Sequence, residues 1–275
     1  MLAVVFLAAV AAVPPSPAPY GFHQIGKDVR YVFTRPFHLD DSDQRDLFQT
    51  AFATGGLYMT REDIRDWVRD RQSPGTAQFL QNVRTMGKGA FAPSLALVFW
   101  TSSYATRSPR EKETAVLLLE SMAFSSLGAA VGQFVIASER PEVGNDVRFF
   151  RTGGHGVSTD AALAASVVEP LRRQYLQFRP DDGHAAKAGK ALASALLYAG
   201  AGLTAYQRIY HDKHWAPDAF LGVMTGLTVG ETLCESHGKD PKRAVHVGAT
   251  PVPDGAALTF RIDLGSKMHR YTGGR

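Results

Sequence analysis

The chain has 275 residues (29.8 kDa), of which 45% are hydrophobic and 20% charged, a composition that fits one ordinary globular domain and excludes disorder as the main state. A mean hydropathy of −0.12 argues against a bundle of many lipid-facing spans, and a single cysteine, Cys234, excludes an intrachain disulfide framework and any cysteine-based zinc or iron–sulfur site. The formal charge of +4 favours anionic partners such as phosphate esters or an anionic membrane surface, with no Lys/Arg block to choose between them and no nucleic-acid partner expected.

Residues 1–12 are apolar without interruption and lead into Val13-Pro14-Pro15-Ser16-Pro17-Ala18-Pro19. Such a run followed by a Pro-rich linker reads as a signal peptide, with Ala9-Val10-Ala11 as the small-residue cleavage site. Residues 1–19 are therefore assigned to export, and the protein is expected to be exported, periplasmic or membrane-associated. No Lys or Arg precedes Leu2, which keeps an uncleaved membrane tether as the alternative.

Beyond the linker, 29–37 alternates weakly and is read as a short strand, after which the pattern turns helical. Asp41-Ser42 and Thr60-Arg61-Glu62-Asp63 are helix-start signals. Apolar spacing predicts helices over 42–53, 60–71, 75–85, 90–104, 109–138, 156–178, 184–209 and 217–236. Two carry small residues along one face: Ser121, Ser125, Gly128, Ala129 and Gly132 in one, Ala185, Gly189, Ala193 and Gly200 in the other. Small residues permit close helix approach, so these two are placed at the centre of the bundle. From 241 to 275 the texture changes: Ala244-Val245-His246-Val247-Gly248 and Ala257-Leu258-Thr259-Phe260-Arg261-Ile262 flank Pro253-Asp254-Gly255, the pattern of a β-hairpin. The expected fold is an all-α, multi-helix bundle over 20–240 with a small C-terminal β-hairpin appendage.

Chemistry-bearing residues gather in three places. Arg208 is followed after five residues by His214-Trp215-Ala216-Pro217-Asp218, and Pro217 suits the first turn of a helix. A carboxylate there can orient His214 by accepting from one ring nitrogen, leaving the other free to attack; the alternative is that Asp218 only caps its helix. In Thr152-Gly153-Gly154-His155-Gly156 the glycines allow close backbone approach to an oxyanion, with a helix N-terminus directly after. The third place is Arg140-Pro141, read as the end of a long helix whose last turns include Gln133.

In chain order these stretches resemble the motifs of the type 2 phosphatidic acid phosphatase superfamily, which also holds bacterial acid phosphatases and vanadium haloperoxidases. That pattern is Lys, six residues, Arg-Pro; then Pro-Ser-Gly-His; then Ser-Arg, five residues, His, three residues, Asp. It falls here on Gln133 with Arg140-Pro141, on Thr152-Gly153-Gly154-His155, and on Gln207-Arg208 with His214 and Asp218, within a motif core of about 115–235. The resemblance implies a cofactor-free, metal-independent phosphoester hydrolase with a phosphohistidine intermediate, acting on a lipid phosphate or a small phosphomonoester. It casts His214 as nucleophile oriented by Asp218, His155 as acid and base, and Arg140, Arg208, Gly153, Gly154 and Gln133 as the phosphate-binding groups. Four positions depart from the pattern: Gln133 for Lys, Thr152 for Pro, Gly153 for Ser and Gln207 for Ser. Three other readings stand beside it: a vanadate-dependent haloperoxidase, a metal site on His211, His214 and Asp218, and a non-catalytic phosphate or lipid-headgroup binder.

Overall fold

A computed structural model describes residues 22–238, 245–252 and 255–262; the expected signal peptide and the Pro253-Asp254 turn lie outside them. Helices α1 (Phe22–Thr34), α2 (Asp41–Met59), α3 (Arg61–Arg69), α4 (Pro74–Val83), α5 (Phe91–Thr106) and α6 (Pro109–Val135) come first. A hairpin of β1 (Ile136–Ser138) and β2 (Val147–Phe149) follows, then α7 (Thr159–Ser166), α8 (Val168–Leu171), α9 (His184–Tyr210) and α10 (Ala216–Ser236). The chain is thus an all-α bundle, and its C-terminal strands β3 (Val245–Val252) and β4 (Gly255–Ile262) pair antiparallel.

The strand expected over 29–37 is instead the end of α1 and a 3-10 turn, Arg35–Phe37. Its inward positions, Gln24, Ile25, Asp28, Tyr31 and Val32, follow helical spacing, but the most buried of them is the aspartate, which hides the period from a hydrophobicity reading. Asp28 accepts from Ser236 Oγ at 2.5 Å and lies 3.0 Å from His237 Nε2, while His237 Nδ1 lies 2.8 Å from Glu113 Oε1. The two carboxylates hold His237 protonated, its pKa raised to about 9 against the opposing effect of burial, and tie α1, α6 and α10 together at one end of the bundle.

Pro170 breaks the helix expected over 156–178 into α7, α8 and a π-turn, Arg172–Leu176. With no N–H, it leaves the carbonyl of Ser166 without its helical donor. Ser121 Oγ on α6 supplies one instead, at 2.7 Å. Both Ser121 and Ser166 are fully buried, so the break is satisfied inside the protein.

Placing the two small-residue helices at the centre needs correction. The α6 stripe is buried at Ser121, Ser125 and Ala129, but Ala185 and Gly189 on α9 face outward. The central contact is between α7, buried along its alanine-rich stretch Ala161–Ser166, and α10. Gly222, Gly226 and Gly230 of α10 run along Ser158, Ala162 and Ser166, one helical turn at a time. A Cβ on Gly226 would lie 2.8 Å from Ser166 N and collide with the Ala162 carbonyl. Gly226→Ala should therefore force the helices apart, at a cost of about 1–3 kcal/mol and a fall in Tm of roughly 3–10 °C. Gly189→Ala, where nothing lies within 4 Å of the new methyl, should leave Tm unchanged or slightly raised; thermal denaturation followed by circular dichroism compares the two.

Candidate active site

Helix α6 stops at Val135, earlier than the apolar pattern suggests, because Ile136-Ala137-Ser138 leaves the helix to pair with Val147–Phe149. Arg140 is consequently not at a helix C-terminus. It sits in the hairpin loop, where its carbonyl accepts from the amides of Val143 (2.9 Å) and Gly144 (3.0 Å). Trp215 Nε1 donates to the neighbouring Glu139 carbonyl at 2.9 Å and fastens this loop to the start of α10.

The Gly153-Gly154-His155-Gly156 segment runs beside β1 almost as a third strand, with His155 N donating to Ser138 O (2.9 Å) and Gly156 N to Ile136 O (3.0 Å). Side chains at 154 or 156 would collide with the β1 main chain, and Gly153 has φ +82°, so each glycine has a steric reason. The close approach expected toward an anion is thus toward β1. The amides of Gly153 and Gly154 make no main-chain hydrogen bond among the described residues.

Between α9 and α10 the chain doubles back. Arg208 O accepts from the amides of Lys213 (2.9 Å) and His214 (3.3 Å), and Asp212 turns with φ +52° under the grip of Arg65 and Arg69. This returns His214 beneath Arg208. The two histidine rings stand nearly perpendicular, centroids 6.3 Å apart. His214 is 6% exposed, and its Nδ1 lies 3.0 Å from the His155 carbonyl oxygen. A carbonyl can only accept, so Nδ1 carries the proton. Burial, reinforced by the charge of Arg208, lowers the His214 pKa to about 3 and keeps the ring neutral. Nε2 therefore holds an unprotonated lone pair.

That geometry corrects the role expected of Asp218. Its carboxylate turns back over its own helix start, accepting from Trp215 N (3.2 Å) and Ser138 Oγ (3.1 Å), and the orienting bond to His214 comes from the His155 main chain. Capping wins because Asp218 is the third residue of α10, within reach of the Trp215 amide. Burial outweighs both bonds and raises the Asp218 pKa to about 7.

Gln133 also departs from expectation. Its Nε2 donates to Val157 O (2.8 Å) and Thr159 Oγ1 (3.0 Å), which uses both amide hydrogens on the entry to α7. Gln133 is a tether of that loop, not a phosphate donor.

Arg140 and Arg208 lie close enough for their charges to interact. The Nε of each is buried with no acceptor among the described residues. Such orphaned guanidinium donors can accept an anion, although Arg61 and Arg110 also keep a buried Nε without an acceptor among the described residues. His155 is half-buried beside them; burial and the positive charge of Arg140 lower its pKa below the usual 6.5. Glu142, held at 2.6 Å by Lys213, lies at the edge, 3.8 Å from Arg140. His211, His214 and Asp218 do not converge: His211 Nδ1 lies 3.1 Å from Gln207 O, while Asp218 faces Ser138. Among the described residues, the metal-capable group within 4.8 Å is Asp28, Glu120 and His237, at the other end of α6 and α10.

Sequence reasoning missed the β1–β2 hairpin and Asp160, whose Oδ2 lies 3.2 Å from Arg208 Nη1. The hairpin had a signal in the β-branched Val135-Ile136 and Val147, overridden in the reading by the long apolar run before them.

No protein-family model matches the sequence, and neither does any curated protein. Among solved structures, the chain is similar to LpxE of Aquifex aeolicus at 18% identity and a TM-score of 0.47, covering 64% of this chain and 94% of that one. It is likewise similar to the first transmembrane PAP2 type phosphatidylglycerolphosphate phosphatase from Bacillus subtilis, at 14% identity and a TM-score of 0.47, covering 79% of this chain and 97% of that one.

Proposed function

We propose that the protein is a phosphoester hydrolase that works through a phosphohistidine on His214. The observation that carries the reading is the neutral, Nδ1-protonated His214 beside two arginines with unsatisfied Nε donors. Arg140 and Arg208, with the Gly153 and Gly154 amides, hold the phosphate and stabilise the charge that develops on its oxygens. His214 Nε2 attacks phosphorus as the P–O bond to the leaving group breaks. His155, in its protonated form, gives its proton to the leaving oxygen. Neutral His155 then takes a proton from water, which attacks phosphorus and breaks the P–N bond. Phosphate leaves, and both rings regain their starting states.

Two features of the surface favour a lipid phosphate over a soluble ester. Phe149 and Phe150 beside the glycine loop are 63% and 68% exposed, and Leu127, Val131 and Phe134 are exposed on the last turns of α6. Helix α6 is also the one helix among the described residues long and apolar enough to cross a membrane. An apolar surface next to an anion site suits a substrate with an acyl or isoprenoid tail, presented at a membrane.

The pH dependence follows from the two rings. Attack needs His214 neutral, which holds above about pH 3, and His155 protonated, which fails as pH rises through a value below 6.5. The kcat/KM for an alkyl phosphate, whose leaving oxygen needs that proton, should thus form a bell on the acid side of neutrality, unchanged by EDTA. Activity that EDTA abolishes and zinc restores, or a plateau extending above pH 8, would overturn the reading.

A further inference from the structure

Gln133 is neutral and spends its amide hydrogens on Val157 and Thr159, so it adds no charge to the site. A cation reaches the site from a different part of the chain. Arg84 opens the 3-10 turn Arg84–Gly87 between α4 and α5, and its Nε lies 2.8 Å from Asp160 Oδ2, the same oxygen that faces Arg208 Nη1 at 3.2 Å. The turn that carries Arg84 is fixed in place. A Cβ on Gly87 would lie 2.8 Å from Thr204 Cγ2 and collide with the Asp160 carbonyl, so only glycine lets it pack on both α7 and α9. Thr204 is one helical turn before Arg208, and Asp160 lies in the first turn of α7.

Asp160 is a problem for an anion site if it stands alone. Its carboxylate fixes the Arg208 guanidinium, but its charge would repel a phosphate dianion held by the same arginine. We propose that Arg84 is a positioning residue of this site: it neutralises Asp160, so that the carboxylate holds Arg208 in place without repelling phosphate. This rests on the reading of the site given above.

The test is a double-mutant cycle on the full chain, reading inorganic phosphate affinity by calorimetry and p-nitrophenyl phosphate kinetics. Arg84→Gln should weaken phosphate binding by about tenfold and raise KM more than it lowers kcat, with Arg84→Lys restoring most of the loss. In the Asp160→Asn background the same Arg84→Gln change should cost less than about threefold, because no uncompensated carboxylate remains. Asp160→Asn alone should bind phosphate at least as tightly as the parent but turn over more slowly, since Arg208 loses its anchor. Arg84 is 31% exposed in its side chain, and equal Tm values would separate these effects from unfolding. Should Arg84→Gln fail to fold, Arg84→Lys and Asp160→Asn carry the test on their own stated outcomes. An Arg84→Gln protein with parental phosphate affinity would overturn the proposal. So would an equal loss in both backgrounds, which would mean that Arg84 acts without Asp160. A parent chain that neither binds phosphate nor turns over would remove the proposed function itself, and this inference with it.

Discussion

Replacing His214 with alanine is expected to lower kcat by about 10⁴-fold or more, with phosphate affinity little changed. The size of the effect follows from the tautomer. Nδ1 is committed to the His155 carbonyl, burial keeps the ring neutral, and Nε2 thereby keeps the free lone pair that attacks phosphorus in the proposed reaction. His155 stands perpendicular to it with a lowered pKa, within reach of the charge of Arg140, and in the proposed reaction it protonates the leaving group. His155→Ala should accordingly be far milder on p-nitrophenyl phosphate, whose leaving group departs without a proton, than on an alkyl phosphate. Steady-state kinetics on both esters, with phosphate binding followed by calorimetry, measure the contrast. Parental kcat in His214→Ala would remove the histidine from the chemistry.

Arg208→Ala should cost about 10²–10³ in kcat/KM, as expected for a preorganised donor aimed at developing charge. The fold should tolerate it better than burial suggests. Asp160 would keep its bond to Arg84, so no uncompensated carboxylate is left behind, and the penalty is confined to the space vacated by the side chain. Arg208→Lys should recover part of the loss through charge but not the directed Nε–H, because an ammonium on a flexible stem cannot reproduce the guanidinium fork. Activity and Tm measured on both variants distinguish a lost anion contact from a destabilised protein; unchanged kcat/KM in Arg208→Ala would place the arginine outside the site.

The helices were legible where apolar spacing was long and capped, as at α9 and α10, both of which end within a residue or two of the expected limits. Reading failed where a tertiary partner replaced a local one. Asp28 sits at the centre of the inward face of α1, because Ser236 and His237 meet it from a helix some 200 residues away. The break at Pro170 was visible as a proline, but not the Ser121 hydroxyl that makes it tolerable. In the site, residue types were readable and roles were not. The spacing of Asp218 from His214 fits orientation and capping equally well, and only the position of the His155 carbonyl decides between them. Gln133 likewise matched a motif position while its amide was engaged on Val157 and Thr159. Arg84 carried no motif at all; its closeness to Arg208 arises from the packing of Gly87 on Asp160 and Thr204.

The central claim, covalent transfer of phosphate to His214 Nε2, is tested most directly by rapid quench with p-nitrophenyl [³²P]phosphate at acid pH. The account predicts a phosphoprotein that is stable to base and labile to acid, labelled on Nε2 of His214 in the peptide map, and absent from His214→Ala. Equal labelling of His214→Ala, or label recovered on a serine, threonine or aspartate, would contradict it.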